Sequence, residues 1–327
     1  MTTARWDGEP TVACEDQRAT STRSQLVELV AAGLPPLPGS GRTRARFEAL
    51  AEASRPSLSV GRLFEAHVDA IAILTEAGAT GDEARLTGVW ASDRTGHVRV
   101  ERGSSAWRLH GTKPFCSGAS FLDRALVTAS SPSGVELALV DLDDPGVRVE
   151  PSTWRGPGMR AADTRAVCFD GASCTLVGPS GWYLERAGFW HGAVGVAASW
   201  FGGAQGVLDT FARGVHEDDP HQLSLLGEAA ALHYSMEATL CRGADEIDLA
   251  PADREAARVR ALGIRRVVAS GCLEVLRRAN DALGPRALAH DEAHGRRAAD
   301  LEVYVRQEHG RHDSEQLGRA IIGAEPC

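Results

Sequence analysis

The residue types able to do chemistry gather in two stretches of the chain. Toward the C-terminus, His290, His294, His309 and His312 lie among Asp291, Asp300, Glu302, Glu308 and Asp313. Imidazoles and carboxylates together suit proton transfer or metal binding, and His290 and His294, four apart, could share a helix face. The run is His-Asp-Glu-Ala-His rather than His-Glu-x-x-His, so a polar, solvated helix is the expected reading and no metal is assigned. The second stretch runs from Leu109 to Gly118 and contains Lys113, the only lysine among 35 basic residues. A slender ammonium in a chain that otherwise uses arginine marks a place where a planar guanidinium does not serve. Ser117 lies nearby but outside any G-x-S-x-G elbow, and no G-x-G-x-x-G occurs; a hydrolase of that type and a nicotinamide-binding domain are both unexpected.

The elements that must position these residues fall into three blocks. The chain has 327 residues, 43% hydrophobic and 24% charged, which suits a globular fold. A net charge of -9 speaks against nucleic acid as a partner. Seven scattered cysteines without a C-x-x-C pair fit reduced thiols in the cytoplasm, and no apolar leader is seen at the N-terminus. Phe189 to Leu208 carries no charge and has the length of a bilayer span. Its five glycines, with His191, Ser199 and Gln205, point instead to a buried helix, so no membrane association is expected.

Residues 1–22 read as a disordered tail and 23–85 as a helical region, including a short helix at Gln25–Ala32 ended by Pro35 and Pro36. Leu63, Phe64, Val68, Ile71 and Leu74 recur at helical spacing. Residues 86–178 alternate with period two around Val98–Val100, Trp107–Leu109, Ala125–Ala129 and Val135–Leu139, with turns at Pro132–Gly134 and Asp170–Gly171. Residues 179–327 return to helix, with two adjacent apolar stripes through Leu262–Leu283 that imply a bundle. The fold class is α+β, mainly α: an N-terminal helical region, a small β-barrel-like middle domain and a C-terminal helical bundle.

That order, and three motifs within it, resemble the acyl-CoA dehydrogenase family. Leu109-His-Gly-Thr-Lys-Pro-Phe-Cys-Ser-Gly118 is similar to the family's L-x-G-x-K-x-aromatic-x-Ser/Thr motif. Gly158-Met-Arg-Ala-Ala-Asp-Thr164 followed by Val167-Cys-Phe-Asp170, and Gly181-Trp-Tyr-Leu184 through Gly188-Phe189, resemble two more. The resemblance implies FAD as cofactor, with Phe115 against the flavin and the Ser117 hydroxyl near its reactive ring nitrogen. It also implies an acyl-CoA or related small-molecule substrate and a homo-oligomer.

The departures matter as much. Thr87–Asp93 replaces the family's glycine-rich turn, Gly192–Gly195 stands where a D-x-x-R is usual, and His221–Gly227 lacks the arginine that approaches the FAD pyrophosphate. Asp281 would repel a pyrophosphate rather than hold it. No Glu-Gly supplies the usual base; Asp300 lies closest to the expected place and is the candidate catalytic residue, with Glu302 next. The expected activity is a flavin-dependent oxidoreductase acting on an acyl thioester or related substrate. A catalytically inactive scaffold or partner subunit of the same fold, and a flavin oxidase or monooxygenase, remain open.

Overall fold

The computed structural model describes residues 12–79, 82–92, 98–104 and 106–323. Three helices come first: α1 (Val12–Ala31), α2 (Thr43–Ser54) and α3 (Leu58–Glu76). The tail expected over 1–22 is corrected in its second half, because α1 already begins at Val12; residues 1–11 lie outside the described residues. α1 has only a weak apolar periodicity; its Leu26 is fully buried, and Leu29 and Val30 pack against the same core. Ser57 opens α3 by accepting a hydrogen bond from the Val60 amide, and α3 buries nearly every side chain along its length.

Seven strands follow, β1 (Thr87–Trp90), β2 (Val98–Arg102), β3 (Trp107–Cys116), β4 (Arg124–Ser131), β5 (Gly134–Asp141), β6 (Val147–Val149) and β7 (Arg165–Leu176). β4 pairs with β2, β2 with β3, β3 with β7, β7 with β5, and β5 returns to β4. This ring closes a small barrel, to which β1 adds in parallel beside β4 and β6 beside β7. Asp170–Gly171, expected as a turn, is instead a bulge within β7. Gly171 at φ 72° takes up one extra residue between Leu109↔Ala172 and His110↔Asp170, so the strand continues to Leu176.

The remainder is helical: α4 (Trp182–Glu185), α5 (Ala187–Gly214), α6 (Pro220–Leu249), α7 (Arg254–His290), α8 (Glu292–Tyr304) and α9 (Arg311–Gly323). α7 is kinked at Gly284, φ 65°, where Pro285 cannot continue the backbone ladder. The charge-free run Phe189–Leu208 forms most of α5, which packs against α2, α3, α6, α7 and α8. Its glycines allow that crowding: a Cβ at Gly202 would collide with the Ala51 carbonyl on α2. Among the described residues no helix is long and apolar enough to cross a membrane.

Candidate active site

The motif residues of β3 lie where its ladder is interrupted. The register shifts between Lys113 and Cys116, and alternate side chains then part company. Lys113 turns into the barrel at 1% exposure, its ammonium donating to the Thr128 carbonyl at 3.0 Å and hydroxyl at 2.8 Å. Cys116 is wholly buried, and burial pushes its thiol up, out of reach as a thiolate nucleophile. Phe115, between them, points outward at 56% exposure with φ 58°.

Two more non-glycine residues with positive φ occur among the described residues, Met159 at 57° and Asp163 at 46°. Both flank the short turn Arg160–Ala162, which is tied to the loop after Phe115. The Gly118 amide donates to the Ala162 carbonyl at 2.8 Å and the Ala119 amide to the Asp163 carbonyl at 3.3 Å. Asp163 accepts from the Ser120 amide at 2.9 Å and from Arg165 at 2.6 Å. Each left-handed side-chain-bearing residue costs about 1–2 kcal/mol. Three in one place mark a locally strained wall that the surrounding bonds hold in shape.

Ser117 is the hydroxyl of this wall. Its Oγ lies 3.1 Å from the Thr164 hydroxyl, and its carbonyl accepts from the Trp90 indole at 3.1 Å. Trp90 thus occupies the place of the missing glycine-rich turn and steadies the loop from β1. Thr164 stood in a motif, but its partnership with Ser117 needs two strands brought together. Gly118, at φ 72°, fits because a Cβ would press on Leu122 and on Leu63 of α3.

Asp300, on α8, stands directly behind the wall. Its Oδ1 accepts from the Met159 amide at 2.6 Å and its Oδ2 from the Ser59 hydroxyl at 3.3 Å. Burial raises its pKa, opposed by the Met159 amide, Ser59 and Arg296. The structure therefore brings Phe115, Ser117 and Asp300 around one turn. Glu302 is separate, an exposed partner of Arg306. His294 is a core residue, its Nδ1 2.9 Å from the Thr210 hydroxyl and its Nε2 3.1 Å from Asn280 Oδ1. His309 pairs with Asp313 at 3.3 Å. Among the described residues no group of three or more His, Cys, Asp or Glu side chains is placed to hold a metal ion.

One turn beyond Ser59, α3 carries Arg62, Glu65 and Asp69 into the bundle. Arg62 Nη1 donates to Glu65 Oε2 at 2.6 Å, and the Tyr304 hydroxyl reaches the same oxygen at 3.5 Å. Burial drives the Glu65 carboxyl up to about 7, against the pull of Arg62. Arg46 of α2 and Arg265 of α7 are buried beside them. This cluster was missed in the sequence, where charges at helical spacing resemble a solvated face.

Residues 72–172 match the family model described as the acyl-CoA dehydrogenase, middle domain. Glutaryl-CoA dehydrogenase from Mycobacterium smegmatis superposes with a TM-score of 0.78 at 18% identity, over 98% of this chain and 92% of that one. The protein has the acyl-CoA dehydrogenase fold. TdsC from Paenibacillus sp. A11-2, solved with FMN and indole, shares that fold with a TM-score of 0.77 at 21% identity, covering 95% of this chain and 97% of its own. KijD3, in complex with FMN and a dTDP-linked amino-keto sugar, shares it with a TM-score of 0.71 at 19% identity, over 96% and 93%. No curated protein sequence matches the chain.

Proposed function

We propose that the protein is a flavin-dependent oxidoreductase acting on a small-molecule substrate. The observation that carries this reading is Phe115: an exposed aromatic ring, held at positive φ beside the Ser117–Thr164 hydroxyl pair. Strain of this kind persists when it presents a group for use, and a planar heteroaromatic ring is the partner such a shelf accepts. A bound flavin supplies hydride or electron transfer. The chain's own part is positional: Phe115 covers the ring, Ser117 offers a hydroxyl to its polar edge, and Thr164 and Trp90 fix where that hydroxyl lies.

FAD is the form the sequence resemblance implies. A second reading, FMN, has a specific observation in its favour at the segment expected to approach a pyrophosphate. There the Gln222 side chain is spent on the His216 amide at 2.8 Å and the Ala282 carbonyl at 3.2 Å, and Asp281 adds an anion, paired to Arg277 at 2.6 Å. TdsC and KijD3 were each solved with FMN.

The substrate proposed from the sequence is an acyl thioester or a related compound, with Asp300 holding the abstracted proton. Oδ2 is the suitable atom, since its one hydrogen bond is the longer one from Ser59 while Oδ1 stays on Met159. The raised pKa of Asp300 supports that role. A homo-oligomer and a cytoplasmic setting go with this reading; the free thiols Cys116, Cys174 and Cys272, all buried, suit a reducing compartment.

The test is a visible absorption spectrum of the purified chain, alone and after addition of FAD, FMN and their reduced forms. Retained flavin absorption, with the form identified after release, is the expected outcome. A folded sample that takes up neither flavin in either state would overturn the reading and leave a scaffold or partner subunit as the function.

A further inference from the structure

On the side of α5 turned away from the wall, α2, α5 and α6 leave an open cleft that encloses about 50 Å³. A single water needs roughly 10–15 Å³, so the space takes a compact head group rather than a long chain. Its placement follows from α5. Phe201 lines the cleft, whereas Gly203, about 200° further round the helix, faces Leu58 of α3 and Leu301 of α8.

The floor of the cleft is apolar and partly aromatic. Phe47, Ala51, Phe201 and Leu240 are each more than nine-tenths buried, and the Phe201 ring is stacked on His233 at 4.3 Å. The rim is acidic. Glu48 of α2 and Glu237 of α6 are exposed, and neither takes part in a hydrogen bond or an ion pair among the described residues. The cations around them are already committed: Arg44, on the same rim, to Asp245, Arg55 to Asp209 and Arg242 to Glu246. His233 lies beside Glu237, and desolvation lowers its pKa, so it adds no positive charge near neutrality.

Two unpaired carboxylates over two phenyl rings suit a cation that also carries apolar surface. A bare ammonium keeps its water shell and gains little from such a floor. A methylated ammonium sheds water at less cost, rests against aromatic rings and is drawn in by the rim. We propose that this cleft binds a small quaternary or tertiary ammonium compound, with its methylated head on Phe47, Phe201 and Leu240 and its charge between Glu48 and Glu237. The occupant is a free small molecule, since the enclosed space accepts a head group and little beyond it. This second site is apart from the Phe115–Ser117 wall and does not rest on the flavin reading.

Cys241 supplies a readout, because it lines the cleft half-buried while Cys116 and Cys272 are enclosed. The full chain is treated with iodoacetamide, and alkylation of Cys241 is followed by peptide mass spectrometry with choline, with dimethylbutanol as its neutral carbon isostere, or with a trimethyllysine peptide. Calorimetric titration with the same three probes measures affinity independently of the thiol. Choline is expected to bind and to slow alkylation several-fold, the alcohol to do neither, and added salt to weaken the effect. Glu48→Gln combined with Glu237→Gln is expected to weaken choline binding about tenfold, and the matching pair of Asp variants to keep part of it; both pairs change exposed positions, and an unaltered thermal midpoint checks the fold. Equal binding of choline and the alcohol, no binding of choline, or unchanged affinity in the double Gln variant would overturn the site. Tighter binding of the peptide than of choline would overturn the small-molecule assignment in favour of a protein partner.

Discussion

The Phe115–Ser117 wall and the Arg46–Arg62–Glu65 cluster meet the same helix, α3, and are built in opposite ways. The wall is neutral and half open, and its specificity is stored in backbone: three left-handed residues, a bulge, and a web of amide bonds. The cluster sits on relaxed helices, and its specificity is stored in charge withdrawn from water. The first arrangement presents a flat ring and a hydroxyl without asking for a counter-charge. The second sets its arginines among carboxylates, with Arg62 bonded to Glu65 and Arg46 close to Asp69 and Glu65. The wall is carried on strands and loops of the middle domain and the cluster on helices, and the two meet along α3.

The largest separation is expected from Gly158→Val. A side chain there runs into the Ala299 carbonyl and Val303 of α8 and must push the Met159 turn away from Asp300. The expected loss is about 3 kcal/mol in denaturant unfolding, as for overpacking against backbone, together with loss of flavin retention. Unchanged stability would mean that the turn is not braced by α8.

Next comes the pH dependence of the cluster. The folded-state pKa of Glu65, about 7 against an ordinary 4.5, makes the folded chain bind that proton more tightly, so stability falls as pH rises through this window. His67 is buried with its pKa pulled down to about 4 by desolvation, and its contribution runs the other way, lost as pH falls from 6.5 toward 4. The buried His191 and His294 and the half-buried His233 are lowered as well and add to it. Wild type is expected to gain less stability than Glu65→Gln between pH 4.5 and 7, because only wild type carries the opposing Glu65 contribution. The rise in Glu65→Gln is expected to exceed that of wild type by up to about 3 kcal/mol, measured by urea midpoints in steps of pH. A slope identical to wild type would show that Glu65 is ionised throughout.

The smallest effect sharpens the wall itself. At φ 58°, replacing the exposed Phe115 by Gly is expected to give a chain about 1 kcal/mol more stable than the Ala variant, while both lose flavin affinity about tenfold. Equal stability of the two variants would remove the claim of strain, and unaltered flavin affinity would remove the claim of contact.

The wall was legible in the sequence because its demands are local. Lys113 stood out by composition, and Phe115 and Ser117 by their place after a strand. Thr164 was visible as part of a motif, but nothing along the chain says that it meets Ser117 across 47 residues. The cluster was illegible for a physical reason. Arg46 lies in Thr43-Arg-Ala-Arg-Phe-Glu, which has the look of a solvated helix turn, and only the packing of α2 on α3 shows that its guanidinium is inside. Gly171 misled in the same way, since a glycine that bulges a strand and one that ends it are spelled alike. α1 was shortened in the sequence reading because its stripe is weak, with Leu26 fully buried and Leu29 and Val30 only partly so.

Lys113 has a practical consequence. It is the only side-chain primary amine in the protein, and the barrel encloses it at 1% exposure with its ammonium on Thr128. Acylating reagents and amine-directed cross-linkers therefore have no internal target in the native chain until the ring of strands parts. Incorporation of a label at that one position becomes a clock for barrel opening, read by mass spectrometry one chain at a time.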